Sequence, residues 1–368
     1  MQPYVPAYRA PLFAALRERL RLRGAELIVA VDSTDSFRRD GTTDEVDLVL
    51  GSGLRGHVRW RRLSAAALTT TDLVVVEQAI KNLETSQLAW SRRARRPGLA
   101  FWGHGRFAGQ SPIADWVKQR TTQRGDWFFA YTQKGADWVV EQGFPRDRLT
   151  VLRNTLDAES LAEDLCAVTD REIREFRSEF SIDEGPCALF MGALDGSKDV
   201  HFLVDAAKSA QALDPTFTLL IAGSGPGAPE INDAAGDLGC VQVIGRVDGR
   251  RKALALLNCQ AMVIPRRIGL VAVDAVVASR PIVTIAGGVH GPEADYLGPD
   301  GLLIEIEGIS PSAFGQRLLE VLRDSSIGAS VDRQDVMMRG REWSIGVMAD
   351  RFVMGIERWA RLRPNPPV

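Results

Sequence analysis

Pro265-Arg-Arg-Ile-Gly269-Leu-Val-Ala-Val-Asp274-Ala-Val-Val-Ala-Ser-Arg-Pro281-Ile-Val-Thr-Ile285 reads as strand end, tight loop, helix, turn and strand. Ala261–Pro265 is a short apolar run that ends in proline, and Gly269 lets the chain turn close to a ligand. Leu270–Ser279 has helical character with an acid, Asp274, about one turn in. Pro281 stops that helix, and Ile282–Ile285 is a β-branched, buried strand. A loop that opens a helix aims free backbone N–H groups and a positive dipole end at whatever lies above it. Phosphate is the natural occupant, and the acid stands where it could take a pair of hydroxyls, as on a ribose.

Working outward, strands alternate with helices on both sides of this stretch. The first half predicts helix at Leu12–Leu22, Ser86–Arg95, Pro112–Arg120 and Lys134–Gln142. It predicts strand at Ala25–Val31, Val58–Trp60, Leu73–Val76, Leu99–Trp102, Trp127–Tyr131 and Leu149–Leu152. Residues 157–184 are polar and helical without strand character, which suits an interdomain connection. A second alternating series runs from Ala188 to Leu322, and Ile345–Ala360 is an amphipathic helix after the second sheet is complete. Such alternation indicates parallel sheets. The expected α/β architecture is two doubly wound, Rossmann-like domains facing a central cleft, with ligands at the carboxyl ends of the strands. The expected boundaries are 1–155 and 185–342 for the domains, 156–184 for the linker, and 343–368 for a helix crossing back to the first domain. The opening Gln2–Pro6 is loop-like where a buried strand is expected, so the first strand is read as missing.

Composition narrows the function classes. The chain has 368 residues, 45% hydrophobic and 25% charged, which suits a globular protein of two domains. No apolar run approaches the roughly 20 residues needed to span a bilayer, and the N-terminus lacks the pattern of a signal peptide. Cys166, Cys187, Cys240 and Cys259 are far apart, and His57, His104, His201 and His290 form no close pair, so no metal site and a reducing, cytoplasmic setting are expected. Net charge is −2 but divided: Met1–Arg153 carries +8 and the remainder −10. The basic half includes Arg17, Arg19, Arg21 and Arg23, and the run Arg92, Arg93, Arg95 and Arg96. These are either a solvated helix face or a surface that meets anionic lipid at the inner face of a membrane, or an anionic acceptor.

Several motifs, in order and spacing, carry a resemblance. Phe190-Met-Gly-Ala-Leu-Asp-Gly-Ser-Lys198 is a strand, a glycine loop and a lysine about one turn later. Leu219-Leu-Ile-Ala-Gly-Ser-Gly225 is the next strand and its Gly-x-Gly loop. Val241-Gln-Val-Ile-Gly245 follows, then Pro265–Ile285. Asn154 and Asp157 close the first domain, while Tyr8-Arg9 and Trp102-Gly-His-Gly105 lie within it. Over nearly its whole length the chain resembles the retaining, nucleotide-sugar-dependent glycosyltransferases of family 4 (group 1), which have the GT-B fold. The resemblance implies transfer of a sugar from a nucleotide-diphosphate donor to a hydroxyl of a glycan, lipid-linked or small-molecule acceptor. It implies retention of configuration, without a metal or other cofactor, with UDP or GDP as the nucleotide, as in the building of polysaccharides.

The same resemblance assigns roles. Lys198 would neutralise the leaving diphosphate; the plain alternative is a solvated lysine, but a cation at a helix start opposes the dipole unless an anion is present. Asp274 stands at the second glutamate of the family's Glu-x7-Glu motif and would bind the ribose hydroxyls. Gly269, Leu270 and Val271 would offer backbone N–H groups to the diphosphate or donor sugar. His104 would meet the donor sugar or the developing positive charge, and Tyr8, Arg9 and Arg106 are acceptor-side candidates. Trp102 reads as core. Two positions depart from the family. Ala193 replaces the arginine beside the diphosphate, and Arg266 replaces the first glutamate. Arginine cannot accept a hydrogen bond, so Arg266 is expected to restore the missing cation at the diphosphate, the alternative being a pair with an acidic donor sugar. The departures keep open a non-catalytic GT-B protein that binds a nucleotide sugar or a partner enzyme. A nucleotide-sugar epimerase of similar fold would need acid/base carboxylates that the sequence does not reveal, and Gly223-Ser-Gly225-Pro-Gly227 lacks the last glycine of a dinucleotide fingerprint. Nothing points to nucleic acid.

Overall fold

The computed structural model describes residues 1–32, 41–42, 44–55, 58–61, 70–79, 82–90, 97–105, 112–236, 238–307, 310–324, 327 and 332–363. The chain forms two compact units, Met1–Leu156 with Ile345–Val368, and Asp157–Ser344.

In the first unit, strands β1 (Val5–Pro6), β2 (Ala30–Asp32), β3 (Gly41–Thr42), β4 (Leu48–Leu50), β5 (Ser52–Arg55) and β6 (Val58–Arg61) form three two-stranded pairs: β1–β3, β2–β4 and β5–β6. A parallel four-stranded sheet follows, in the order β10-β9-β8-β7, from β7 (Leu73–Glu77), β8 (Gly98–Gly103), β9 (Trp127–Ala130) and β10 (Leu149–Val151). Helices α1 (Ala10–Arg21), α2 (Leu83–Trp90), α3 (Pro112–Thr122) and α4 (Gln133–Glu141) accompany them. Two expectations need correcting. The 25–31 strand begins only at Ala30, because Val29 spends its backbone groups on an irregular junction with Asp47 and Leu48. The opening segment is more than a loop. Gln2 N donates to Ala30 O, Asp32 N donates to Pro3 O, and Val5 and Pro6 pair with Thr42 and Gly41.

The second unit opens with α5 (Ala158–Ala167) and α6 (Asp170–Glu179), then β11 (Cys187–Ala193), α7 (Val200–Leu213), β12 (Thr218–Ser224), α8 (Ala228–Gly236), β13 (Val241–Gly245), α9 (Gly249–Leu257), β14 (Ala261–Val263), α10 (Val271–Ala278), β15 (Ile282–Ile285), β16 (Leu303–Ile306), α11 (Pro311–Arg323) and α12 (Arg333–Glu342). Its six strands are all parallel in the order β13-β12-β11-β14-β15-β16. Both faces are covered, which is why these strands read as unbroken apolar runs. Leu189 and Leu220 enter one core cluster, and Ala188, Phe190, Leu219 and Ile221 enter the other, the period-two alternation of a strand.

Residues 156–184 are not a free linker. Leu161, Ala162, Leu165 and Phe176 are buried in the core beneath α9 and α10. Asp157 caps α5, and Thr169 with Glu172 forms a capping box on α6. Arg250 of α9 then reaches Glu172 at 2.9 and 2.7 Å and the carbonyl of Asp164 at 2.9 Å. The polar composition that suggested a connection is the outer face of two amphipathic helices.

The last helix, α13 (Ile345–Leu362), belongs to the first unit and packs on α1, β9 and β10. Phe352 stacks on Phe129 at 4.2 Å and meets Trp102 edge-on at 5.4 Å. Trp102 is core, as its sequence context suggested.

Candidate functional site

The strand order of the second unit reverses direction between β11 and β14, which is the topological switch point of an open α/β sheet, where ligands bind beyond the strand ends. Two loops leave the sheet there. The one after β11 starts from Ala193 and carries Lys198, and the one after β14 carries Arg266–Leu270.

Lys198 is partly buried. Its stem runs beside Gly192, and its ammonium donates to the carbonyl of Arg267, which ties the two loops together. Burial lowers its pKa, and the nearby Arg267 adds to the shift while Asp195 opposes it. An ammonium in that setting gains from an incoming anion. Beside it, the amides of Gly269, Leu270 and Val271 have no acceptor among the described residues, whereas those of Ala272 and Val273 close onto Gly269 O and Leu270 O, both at 2.9 Å. A Cβ placed on Gly269 would point into open space. Helix α10 has no side-chain cap. The structure therefore brings the Lys198 loop beside the loop that leads into α10.

Two non-glycine residues here, Asp199 and Arg267, have φ of 55°. Left-handed backbone is uncommon outside glycine, and it concentrates at sites where geometry serves a ligand. Arg266 does not stand alone, because its Nε lies 3.0 Å from Asp199 in an exposed pair. Ala193 is exposed at the end of β11. Arg267 was not singled out from sequence, since nothing marks it apart from its neighbour.

Asp274 is seven per cent exposed on a helix that is otherwise apolar all round. A carboxylate there needs a partner, and Lys252 of α9 supplies one at 2.9 Å. Lys252 went unnoticed in the sequence, where it looks like the end of a basic helix start, Arg250-Arg251-Lys252. His290 was also missed. Its Nδ1 accepts from Ile268 N at 3.3 Å, and its Nε2 is buried without a partner. Burial lowers its pKa, Lys198 adds to the shift and Glu305 opposes it. The Gly287-Gly288-Val289-His290-Gly291 loop could have drawn attention to it.

In the first unit, His104 follows β8. Gly105 has φ of 75°, and a Cβ there would run into the carbonyl of Gly135, so glycine alone allows the tight turn. The imidazole packs on Tyr131 with ring centroids 4.4 Å apart. Its pKa is lowered to about 4, chiefly by burial, with Lys118 and Arg9 adding to the shift. It is neutral at pH 7. Tyr8 is exposed. Arg9 is buried. It donates to Asn154 Oδ1, lies 3.8 Å from Met348 Sδ, and sits over the Trp102 ring at 5.1 Å. Its guanidinium is absorbed in joining α1, the end of β10 and α13. Arg106 lies outside the described residues, as do Arg92, Arg93, Arg95 and Arg96. The arginines of α1 and its C-terminal end are each paired: Arg17 with Asp47, Arg19 with Asp350, Arg21 with Glu18 and Arg23 with Glu357. They are a solvated, neutralised face. No cluster of metal-ligating side chains exists among the described residues.

Residues 185–324 match the family model described as glycosyl transferases group 1. The match lies wholly within the second unit. Among curated proteins, the chain is 24% identical over 181 residues to the alpha-D-kanosaminyltransferase of Streptomyces kanamyceticus, covering 47% of this chain and 45% of that relative. The chain thus matches less than half the length of that enzyme. Among solved structures it is similar to a glycosyltransferase from Rickettsia africae, with a TM-score of 0.66, 11% identity and 98% of each chain covered. It is also similar to HepE from Anabaena in complex with UDP and glucose, with a TM-score of 0.63, 14% identity, and 97% and 98% covered. A UDP-GlcNAc 2-epimerase from Neisseria meningitidis bound to UDP-GlcNAc gives 0.54 at 13% identity, over 78% and 76%. These likenesses show the fold, which is GT-B with two Rossmann-like units.

Proposed function

We propose that this chain is a group 1 glycosyltransferase that moves a sugar from a UDP-sugar to an acceptor hydroxyl, with retention of configuration and without a metal. The observation that carries the reading is at the switch point, where Lys198 is tied to the carbonyl of Arg267 just before three amides at the start of α10 that have no acceptor among the described residues. When the glycosidic bond to the diphosphate breaks, negative charge grows on the leaving oxygen. A fixed ammonium and a helix N-terminus aimed at that oxygen lower the barrier without having to reorganise. The leaving oxygen can take the acceptor's proton, so no separate base is needed. Asp274 would receive the ribose hydroxyls. Arg266, released from Asp199, would stand in for the arginine that Ala193 lacks, and His104 keeps the role that the family resemblance gives it. UDP is favoured over GDP because HepE, a structural neighbour, holds UDP.

The reading is tested by incubating the protein with a panel of UDP- and GDP-sugars and alcohol or glycan acceptors, and following products by proton NMR. UDP release with a new glycoside of unchanged anomeric configuration is expected, unaffected by EDTA. Inverted product would overturn retention. Interconversion of the donor sugar without transfer would favour the epimerase reading, which the Neisseria neighbour keeps open. Tight UDP binding without turnover would favour the non-catalytic reading, which rests on Ala193 and Arg266.

A further inference from the structure

Helices α2 and α3 pack against each other in the first unit, and both carry apolar side chains on the face turned away from the core. On α2, Glu84, Thr85, Leu88 and Ala89 are buried, while Leu83 and Trp90, seven residues apart, are exposed. On α3, Ile113 and Trp116 are exposed at 77% and 57%, on the same stripe as Arg120. Trp90 is 52% exposed. Trp90, Trp116, Arg120, Gln123 and Arg124 line one shallow recess. Arg124 lies 3.8 Å from the centre of the Trp90 ring and Arg120 lies 5.7 Å from that of Trp116. Neither arginine has a carboxylate partner among the described residues.

Two exposed tryptophans, two exposed aliphatic side chains and two uncompensated arginines on adjacent helices make a combined apolar and cationic patch. We propose that this α2–α3 face docks on an anionic lipid bilayer surface. Tryptophan settles at the headgroup boundary, Leu83 and Ile113 would enter the acyl edge, and the guanidiniums would meet lipid phosphates. Charge complementarity supports that occupant. From Leu83 to Gly125 the sequence has eight basic residues against two acidic ones, and one of those, Glu84, is already committed to buried Arg61. The same charge opposes a second copy seated face to face, which would set arginine against arginine. A soluble anionic glycan would leave Leu83 and Ile113 without a role. No helix among the described residues is long and apolar enough to cross a membrane, so the contact is peripheral. It differs from a contact through α1, whose arginines are already neutralised.

Flotation of the full chain with vesicles of phosphatidylcholine, with and without phosphatidylglycerol, tests this. Binding is expected only to the anionic vesicles, weakening with salt, and falling at least about tenfold in Trp90→Ala/Trp116→Ala and in Arg120→Glu/Arg124→Glu. UDP affinity and melting temperature should be unchanged in both variants, since the patch is exposed. Brominated lipid should quench tryptophan emission in the wild type, and less in Trp90→Phe/Trp116→Phe, a substitution that keeps an apolar aromatic ring. No binding to anionic vesicles, equal binding by the variants, or stronger retention on a soluble anionic polysaccharide that the variants lose would each overturn the proposal.

Discussion

Replacing Asp274 by alanine should remove recognition of the ribose while leaving the protein folded. The carboxylate is seven per cent exposed and its partner Lys252 is 18% exposed. Loss of Asp274 strands a lysine whose flexible stem can carry the ammonium to water, so the ligand-free protein should lose only about 1 kcal/mol. Binding should suffer more. A hydrogen bond to a charged group contributes about 1.5–3 kcal/mol, and the carboxylate can accept from both ribose hydroxyls while sharing its charge with Lys252. UDP affinity should therefore fall about 10- to 150-fold, since each 1.4 kcal/mol is a factor of ten. The assay is calorimetric titration with UDP and with 2′,3′-dideoxy-UDP. The wild type should prefer UDP by a similar factor, and Asp274→Ala should bind the two nearly alike. If the variant keeps the wild-type preference for UDP, Asp274 is a structural partner of Lys252 and the ribose assignment is wrong.

Other consequences follow from the same geometry. Lys252→Met should leave the Asp274 carboxylate buried and unpaired, lowering stability by about 3 kcal/mol, and UDP should raise the melting temperature of this variant more than that of the wild type; thermal scans with and without UDP check both. Gly223→Val should fail to give a native melting transition, because a Cβ there would run into the carbonyl of Gly192, its partner across β11 and β12. His104 has a folded pKa of about 4 against an ordinary value near 6.5, so the unfolded chain binds the extra proton first. Its contribution is fully present above about pH 6.5 and is lost as pH falls towards 4, amounting to about 2 kcal/mol at pH 5. Denaturant titrations at pH 7.5 and pH 5 should show a smaller pH-dependent loss in His104→Asn.

The alternation of apolar runs and amphipathic segments was enough to read two parallel α/β units, because a strand covered on both faces has no polar side to obscure it, as in Cys187–Ala193. The Pro265–Ile285 stretch folds as read, with the loop, the uncapped helix and the buried strand in place. The placement of Gly269–Val271 at a helix start was legible because a loop that opens a helix has a local signature. Lys252 was not, since its meaning comes from a contact 22 residues away. The burial of Arg9 was hidden for the same reason. Sequence shows an arginine after a tyrosine, while its burial depends on Asn154 and Met348, which lie 145 and 339 residues further on. The 157–184 stretch was misread because its charges conceal one buried stripe.

The central claim, that the second unit holds a nucleoside diphosphate at its switch point through Lys198, is tested most directly by calorimetric titration of UDP into the full chain and into Lys198→Ala. The account predicts that the wild type binds and that the variant binds at least about 100-fold more weakly, the loss expected when a partly buried cation is removed from an anion. Equal affinity in the two proteins, with the variant folded, would contradict it.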